Sequence, residues 1–254
     1  MTAPAALLSY DDPTPFEVFQ PSATSPFLVL CDHAGRAIPR ALGSLGISGR
    51  ELETHIAWDI GAAGFAKKLA SRMGATVFLQ RYSRLVIDCN RPLTAGDSIP
   101  ETSGGVAIPA NRALNEEDRK TRADEIFRPY HGAIEEELKR RQAANRDTIL
   151  VLAHSFTPEL SGNARVWHTG LLYNRDRRVA EPLLGLLSRE PGLVVGDNQP
   201  YFISDTSDYA ANVYGEKAGR RYVELEIRQD LLASEGGQAE WAERYARLLI
   251  AATS

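Results

Sequence analysis

Short apolar runs bounded by polar residues recur along the chain, and they constrain its fold more than any other feature. Residues 27–31, 75–79 and 148–153 are runs of five or six residues that carry no charge. Such runs are typical of strands that are buried on both faces, as in a largely parallel sheet. Further strands are predicted at residues 85–87, 170–173, 193–195 and 221–227.

Stretches with helical spacing alternate with these runs. They lie at residues 51–73, 115–141, 178–188 and 238–252. Gly74 is expected to stop the first helix, Pro129 to break or kink the second, and residues 93–109 to form a long loop. The alternation predicts one α/β domain over residues 1–254, with a mixed, largely parallel sheet and helices on both faces.

Composition narrows the class of protein. The 254 residues are 43% hydrophobic and 24% charged, as in an ordinary globular protein. The net charge of −4 lacks the basic excess that nucleic acids and anionic membranes attract, so neither is expected as a partner. Residues 1–8 lack a charged segment before a long apolar run, so a cytoplasmic protein is expected, with Cys31 and Cys89 as reduced thiols.

Three predicted strands carry side chains that can bind a metal or move a proton. His33 follows the first apolar run, His154 follows the run at 148–153, and Glu226 lies in the last strand. Ligands of open α/β sheets bind outside the carboxyl ends of the strands, so these side chains are expected to meet there. The pattern predicts a metal or acid–base site, with structural histidines as the alternative.

A catalytic zinc site usually has three protein ligands, and two histidines leave one place to fill. Asp32 is expected to point away from His33, because side chains alternate along a strand. Asp59, near the start of the predicted helix and one turn beyond His55, is the best candidate, with a helix cap or a salt bridge as the alternative. His55 is a second candidate and more simply an outer or surface residue.

Two acids share a face of the last predicted strand. Glu224 and Glu226 are two residues apart, so their side chains point the same way. Beside a zinc ion, Glu226 could take a proton from water and pass it to a leaving nitrogen. The alternative is a solvated face paired with Arg221 and Arg228.

Guanidinium groups near the predicted site indicate an anionic substrate. Arg84 and Arg91, with Asn90, bracket the predicted strand at 85–87, and Arg165 follows a polar loop. Guanidinium binds carboxylates through two parallel hydrogen bonds, so such a cluster indicates a small anionic substrate such as a dicarboxylate. Surface salt bridges are the alternative for any single arginine.

Five segments occur in a characteristic order. They are CDHAGR at 31–36, SRLVIDCNR at 83–91, HSFTP at 154–158, DNQPY at 197–201 and LEIRQDL at 225–231. Together, over about residues 26–233, they resemble the N-formylglutamate amidohydrolase family, which is related to the zinc carboxypeptidases and aspartoacylases. The resemblance implies a zinc-carboxypeptidase-like (phosphorylase/hydrolase-like) fold. It also implies a zinc hydrolase that cleaves N-formyl-L-glutamate to formate and glutamate in histidine degradation.

The same resemblance implies roles for individual residues. The implied metal ligands are His33, Asp59 and His154. The residues implied to act on a small anionic N-acyl amino acid are Glu226, Arg84, Asn90, Arg91 and Arg165. Among these, Glu226 would be the base that activates the attacking water, and Asn90 and Arg91 would hold a substrate carboxylate. Arg84 and Arg165 would be further anion contacts, and an arginine would help to stabilise the oxyanion.

Two departures from the family pattern indicate a divergent branch. Better-known members have Pro-His-Ser-Gly where this chain has DHAG at 32–35, and a histidine is expected where it has NVYG at 212–215. The alternatives are therefore a hydrolase of another N-acyl amino acid or small peptide, and a non-catalytic anion-binding protein on the same fold. The sequence does not predict the oligomeric state.

Overall fold

The computed structural model describes residues 6–254, and a seven-stranded sheet forms its core. The strands are β1 (Phe16–Phe19), β2 (Phe27–Cys31), β3 (Thr76–Gln80), β4 (Thr102–Ser103), β5 (Val106–Ala107), β6 (Ile149–Phe156), β7 (Glu159–Leu160), β8 (Asn163–Ala164), β9 (Thr169–Leu172), β10 (Val195–Asp197) and β11 (Tyr222–Arg228). The helices are α1 (Gly49–Leu52), α2 (Ala62–Met73), α3 (Glu116–Arg122), α4 (Arg128–Ala143), α5 (Ala180–Leu187) and α6 (Glu235–Thr253).

The order of strands in the sheet is β1-β3-β2-β6-β11-β9-β10. β2 pairs in parallel with β3 and β6, β6 with β11, and β9 with β10. The β1–β3 and β9–β11 pairs are antiparallel. The predicted mixed, largely parallel sheet is therefore confirmed. Because β2, β6 and β11 are adjacent and parallel, their carboxyl ends lie at one edge of the sheet.

Helices cover both faces of this sheet. α2 packs against β2, β6 and α6 on one face. A π-helical turn at Ala211–Glu216 contacts β6 and β11 on the other face. α4 lies on the same side as this turn, since His131 of α4 is 3.0 Å from the hydroxyl of Tyr214. Asp32, just after β2, accepts a hydrogen bond from Tyr130 of α4.

The predicted helix over 51–73 is wrong in its first half. α1 ends at Leu52 and α2 begins at Ala62, with turns between them. Gly61 precedes α2 with a φ of 81°, which an α-helix does not accommodate. A Cβ at this position would lie 2.4 Å from the Leu232 carbonyl oxygen, so the backbone turns here against a neighbouring loop. Gly74 ends α2 as predicted.

The predicted strand at 85–87 is wrong as well, because Leu85 and Val86 lie in a turn and Ile87 belongs to no strand. The carbonyl oxygen of Leu85 accepts a hydrogen bond from the Asn111 side chain, and that of Val86 accepts one from Arg122. Side chains thus take the places that a neighbouring strand would fill.

The structure differs in detail from the predictions for the loop at 93–109 and for Pro129. Residues 93–109 contain the β4–β5 hairpin. Pro129 lies in the first turn of α4, directly after a π-helical turn at Ala123–Phe127, so the helical path continues from α3 across it. Proline is tolerated at the start of an α-helical segment, where its missing N–H is least needed.

None of the helices within residues 6–254 has both the length and the apolar character that crossing a bilayer requires. The prediction that residues 1–8 form no leader concerns residues 1–5 as well, and these lie outside the described part of the chain. Cys31 and Cys89 are both buried free thiols, as expected.

Gly170 of β9 permits a close contact that shapes the site edge. A Cβ at this position would lie 1.7 Å from the carbonyl oxygen of Gln199. Gly170→Ala is therefore expected to lower the free energy of unfolding by about 1–3 kcal/mol, as measured by urea denaturation. Gly185→Ala in α5, where an added Cβ meets no atom within 4 Å, is the control and is expected to stabilise by about 0.5–1 kcal/mol. Equal stability of the two variants would contradict this account.

Candidate metal centre

Adjacent strands bring the predicted residues together. His33 follows β2, His154 lies in β6, and Glu226 lies in β11 directly opposite His154 in the parallel register. β6 and β11 each continue two residues beyond these positions, so the two side chains lie on the sheet face near the carboxyl edge. The prediction that the three side chains meet at one edge is confirmed.

His33, Asp59 and His154 form a buried group whose ligand atoms lie within 4.8 Å of one another. Nδ1 of His33 is 3.6 Å from Oδ2 of Asp59, and Nδ1 of His154 is 2.9 Å from the same oxygen. The centroids of the two imidazole rings are 5.0 Å apart. These three side chains form a group able to hold a metal ion.

Two of the distances in this group are of the size expected for ligands of a single zinc ion. Two ligands that each lie about 2.1 Å from one zinc ion at the tetrahedral angle are separated by about 3.4 Å. The distances of 3.6 Å and 2.9 Å bracket that value. Nδ1 of His33 is buried and has no hydrogen-bond partner within residues 6–254. Burial lowers the pKa of His154 to about 3, and the nearby His33 lowers it further. The imidazole of His154 is therefore neutral, which is the form that binds a metal.

Asp88 is an outer carboxylate that orients His33. Nε2 of His33 is 2.8 Å from Oδ1 of Asp88, which places the proton on Nε2 and leaves the Nδ1 lone pair directed toward Asp59. Nε2 of His154 is 3.9 Å from Oδ2 of Asp32, which is beyond hydrogen-bond distance, and neither atom has a hydrogen-bond partner within residues 6–254. Asp88 keeps a pKa below its usual range, because the charge and hydrogen bond of His33 outweigh the effect of burial. Asp32 instead has a raised pKa, because burial outweighs its contacts.

Asp59 is predicted near the start of a helix. In the structure it lies in the loop before α2 and reaches the group from there. Its backbone N–H donates to the carbonyl oxygen of His33 at 3.0 Å. Oδ2 accepts a hydrogen bond from the backbone N–H of Ser155 at 3.2 Å, and Oδ1 forms an ion pair with Arg84. Asp59 is therefore fixed by contacts to three separate segments of the chain.

The group opens onto a cavity of about 360 Å³. Among the residues that line it are Arg84, Asn90, Arg91, Glu224 and Glu226. Glu226 is buried, and Oε2 has no hydrogen-bond partner in the described part of the chain. Burial raises the pKa of Glu226 to about 8, against the opposing effects of Arg84 and His33. An acid with such a pKa can exchange a proton near neutral pH.

The alternative in which Glu224 and Glu226 form a solvated face is wrong. Both side chains are buried, at 2% and 5% exposure. Arg221 pairs with Asp147 and Arg228 with Asp230.

Arg165 does not line the cavity in the described structure, although a direct substrate contact was predicted for it. Its guanidinium lies over the rings of Phe156 and Tyr201, and Nη1 donates to the Tyr201 hydroxyl at 2.8 Å. Phe156 and Tyr201 do line the cavity. Arg165 thus contacts the cavity wall through these two residues.

Asp208 is a cavity residue that the sequence did not indicate. Its Oδ1 accepts hydrogen bonds from Asn90 Nδ2 at 3.0 Å and from Arg91 Nη1 at 3.3 Å. The two side chains predicted to hold a substrate carboxylate are therefore bound to a carboxylate of the chain itself. His55, the second candidate ligand, lines the cavity but does not belong to the metal-binding group.

The fold and the site together define an α/β protein with a His–Asp–His metal-binding group at the carboxyl edge of its sheet. Residues 25–233 match the sequence model of the N-formylglutamate amidohydrolase family. The chain therefore belongs to this family, and the resemblance predicted from the five segments is confirmed.

Individual relatives are consistent with this membership. An N-formylglutamate deformylase of Pseudomonas putida is 33% identical over 141 residues, which are 51% of this chain and 51% of that protein. The chain thus matches about half the length of this curated relative. A solved gene product of Agrobacterium tumefaciens is 35% identical with a TM-score of 0.94, covering 97% of both chains. A solved N-formylglutamate amidohydrolase of Ralstonia eutropha shares the fold, with 20% identity, a TM-score of 0.67 and coverage of 94% and 96%.

Proposed function

We propose that the protein is a zinc-dependent hydrolase of the C–N amide bond in a small N-acyl amino acid, with N-formyl-L-glutamate as the first substrate to test. The observation that supports this most is the convergence of His33, Asp59 and His154 beside an unpartnered Glu226 in one cavity. The family membership supports the choice of substrate. We further propose that the protein has a single domain, lies in the cytoplasm and acts in histidine degradation.

The residues of the chain can each be given a task. His33, Asp59 and His154 would hold the zinc ion, which would act as a Lewis acid toward the acyl group. Glu226 takes a proton from the attacking water and delivers it to the leaving nitrogen, so that formate and a free amine result. Arg84, whose Nε is buried without a partner within residues 6–254, donates to the oxygen on which negative charge develops.

Asn90 and Arg91 hold a carboxylate of the substrate in this proposal, and Arg165 acts through Tyr201. Asp208 now occupies the donors of Asn90 and Arg91. A substrate carboxylate that binds there has to displace it. This contact disfavours a substrate with two carboxylates, and it therefore favours a second candidate function, in which the protein hydrolyses an N-acyl amino acid other than N-formyl-L-glutamate.

Formate release by the zinc-loaded protein tests the proposal. We expect one formate for each amino acid released from an N-formyl amino acid, loss of the reaction on chelation, and recovery on adding zinc. The assay includes N-formyl-L-glutamate and the corresponding N-acetyl compounds. A correctly folded, zinc-loaded protein that hydrolyses none of them would contradict the proposal and favour a non-catalytic anion-binding protein.

A further inference from the structure

Glu224 is a buried acid that the proposed reaction does not use. Its side chain lines the same cavity as the metal-binding group, and it is 2% exposed. Oε2 has no hydrogen-bond partner anywhere in residues 6–254. Glu226 lies two residues further along β11 and points to the same face. Glu224 therefore lines the cavity beside the reacting group with Oε2 unpartnered in the described part of the chain.

The surroundings of Glu224 are acidic. Burial raises the pKa of Glu224 well above its usual range, and the nearby Asp208 and Glu226 raise it further. Arg91 opposes this effect, but its ion pairs are made with Asp97 and Asp208. The described residues thus leave this carboxyl group without the positive charge or donors that a buried acid requires.

A substrate group with hydrogen-bond donors would supply what Glu224 lacks. An ammonium, guanidinium or amide group donates to a carboxylate, and a positive charge stabilises its ionised form. A substrate carboxylate would bring no donor to Glu224, and it would lie on the same wall as the carboxylate of Asp208, which holds Asn90 and Arg91. The negative charges of the substrate and of Asp208 would repel each other in a buried site.

We propose that Glu224 is a specificity-determining residue, and that the cavity selects an N-acyl amino acid whose side chain ends in a hydrogen-bond donor over one whose side chain ends in a carboxylate. This inference rests on the proposed function for the class of ligand, and it names the side chain that the ligand carries.

Calorimetric binding to the full chain tests the inference without requiring turnover. The ligands are N-formyl-L-lysine and N-formyl-L-norleucine, which differ by the ammonium group, and N-formyl-L-glutamine and N-formyl-L-glutamate. We expect the wild type to bind the lysine ligand at least about 10-fold more tightly than the norleucine ligand. We also expect the glutamine ligand to bind more tightly than the glutamate ligand.

Substitution of Glu224 assigns the preference to this residue. Glu224→Gln is expected to reduce the lysine-over-norleucine ratio to about 3 or less, with norleucine binding unchanged. Asp208→Asn is a second variant on the same wall, and it is expected to strengthen binding of N-formyl-L-glutamate by about 10-fold, because the negative charge that competes with the substrate carboxylate for Asn90 and Arg91 is removed. Glu235→Gln, at an exposed position in α6 outside the cavity, is the control and is expected to leave both values unchanged.

The outcomes separate this inference from the proposed function. Tighter binding of N-formyl-L-glutamate than of the glutamine and lysine ligands by the wild type would overturn the inference. An unchanged lysine-over-norleucine ratio in Glu224→Gln would also overturn it. A failure of all four ligands to bind would do the same. Ligands that bind with the expected preference but are not hydrolysed when zinc is present would overturn only the proposed function.

Discussion

Glu226→Gln is expected to lower kcat for formate release roughly 10²–10⁴-fold, the range by which a positioned acid–base group accelerates a reaction. Glutamine has nearly the same shape but can neither accept the proton of the attacking water nor deliver it to the leaving nitrogen. Zinc content is expected to stay unchanged, because Glu226 does not belong to the His33–Asp59–His154 group. Formate release and metal analysis on the same samples measure both quantities.

Urea denaturation of Glu226→Gln is the control for the folding of this variant. Folding raises the pKa of Glu226 from 4.5 to about 8. The free energy of unfolding of the wild type therefore falls as the pH increases from 4.5 to about 8, because Glu226 ionises more readily in the unfolded chain. Glutamine has no such cost. Metal-free Glu226→Gln is therefore expected to resist urea better than the metal-free wild type at about pH 8 and equally well below about pH 4.5. A stable, zinc-loaded Glu226→Gln that keeps full activity would rule out the proposed role.

Strand patterning predicted the position of the site. The apolar runs at 27–31 and 148–153 form the adjacent parallel strands β2 and β6, which places His33 and His154 together. The register between β6 and β11 then puts Glu226 opposite His154. This succeeded because buried parallel strands are marked by composition over several residues, and because a parallel sheet brings its carboxyl ends to one edge.

The loops were harder to predict, because their conformation depends on contacts between distant segments. Helical spacing placed Asp59 near the start of a helix, whereas Gly61 and the neighbouring Leu232 force a turn before α2. The outer acid Asp88 lay within a recognised segment, but its contact with His33 spans 55 positions in sequence. Asp208 follows no predicted strand, and its contact with Asn90 spans 118 positions. Local patterns do not contain such information.

His154→Ala is expected to have the second large effect, which is loss of the bound metal. Removing a direct ligand leaves two of three protein donors, so zinc affinity is expected to fall by more than the roughly 10–100-fold that loss of an outer partner costs. Asp88→Asn, which alters only the partner of His33 Nε2, is expected to show that smaller loss. Chelator competition followed by elemental analysis measures both affinities, and activity is expected to fall with occupancy.

His55→Ala is the matched control for metal loss. His55 lines the same cavity, and its Nε2 is buried without a partner in the described structure, yet it does not belong to the metal-binding group. Its replacement is expected to leave zinc affinity unchanged. If His55→Ala loses zinc while a folded His154→Ala retains it, the ligand set proposed here is wrong. Retention of zinc by both variants would place the metal elsewhere, because the convergence of Nδ1 atoms on Asp59 requires His154.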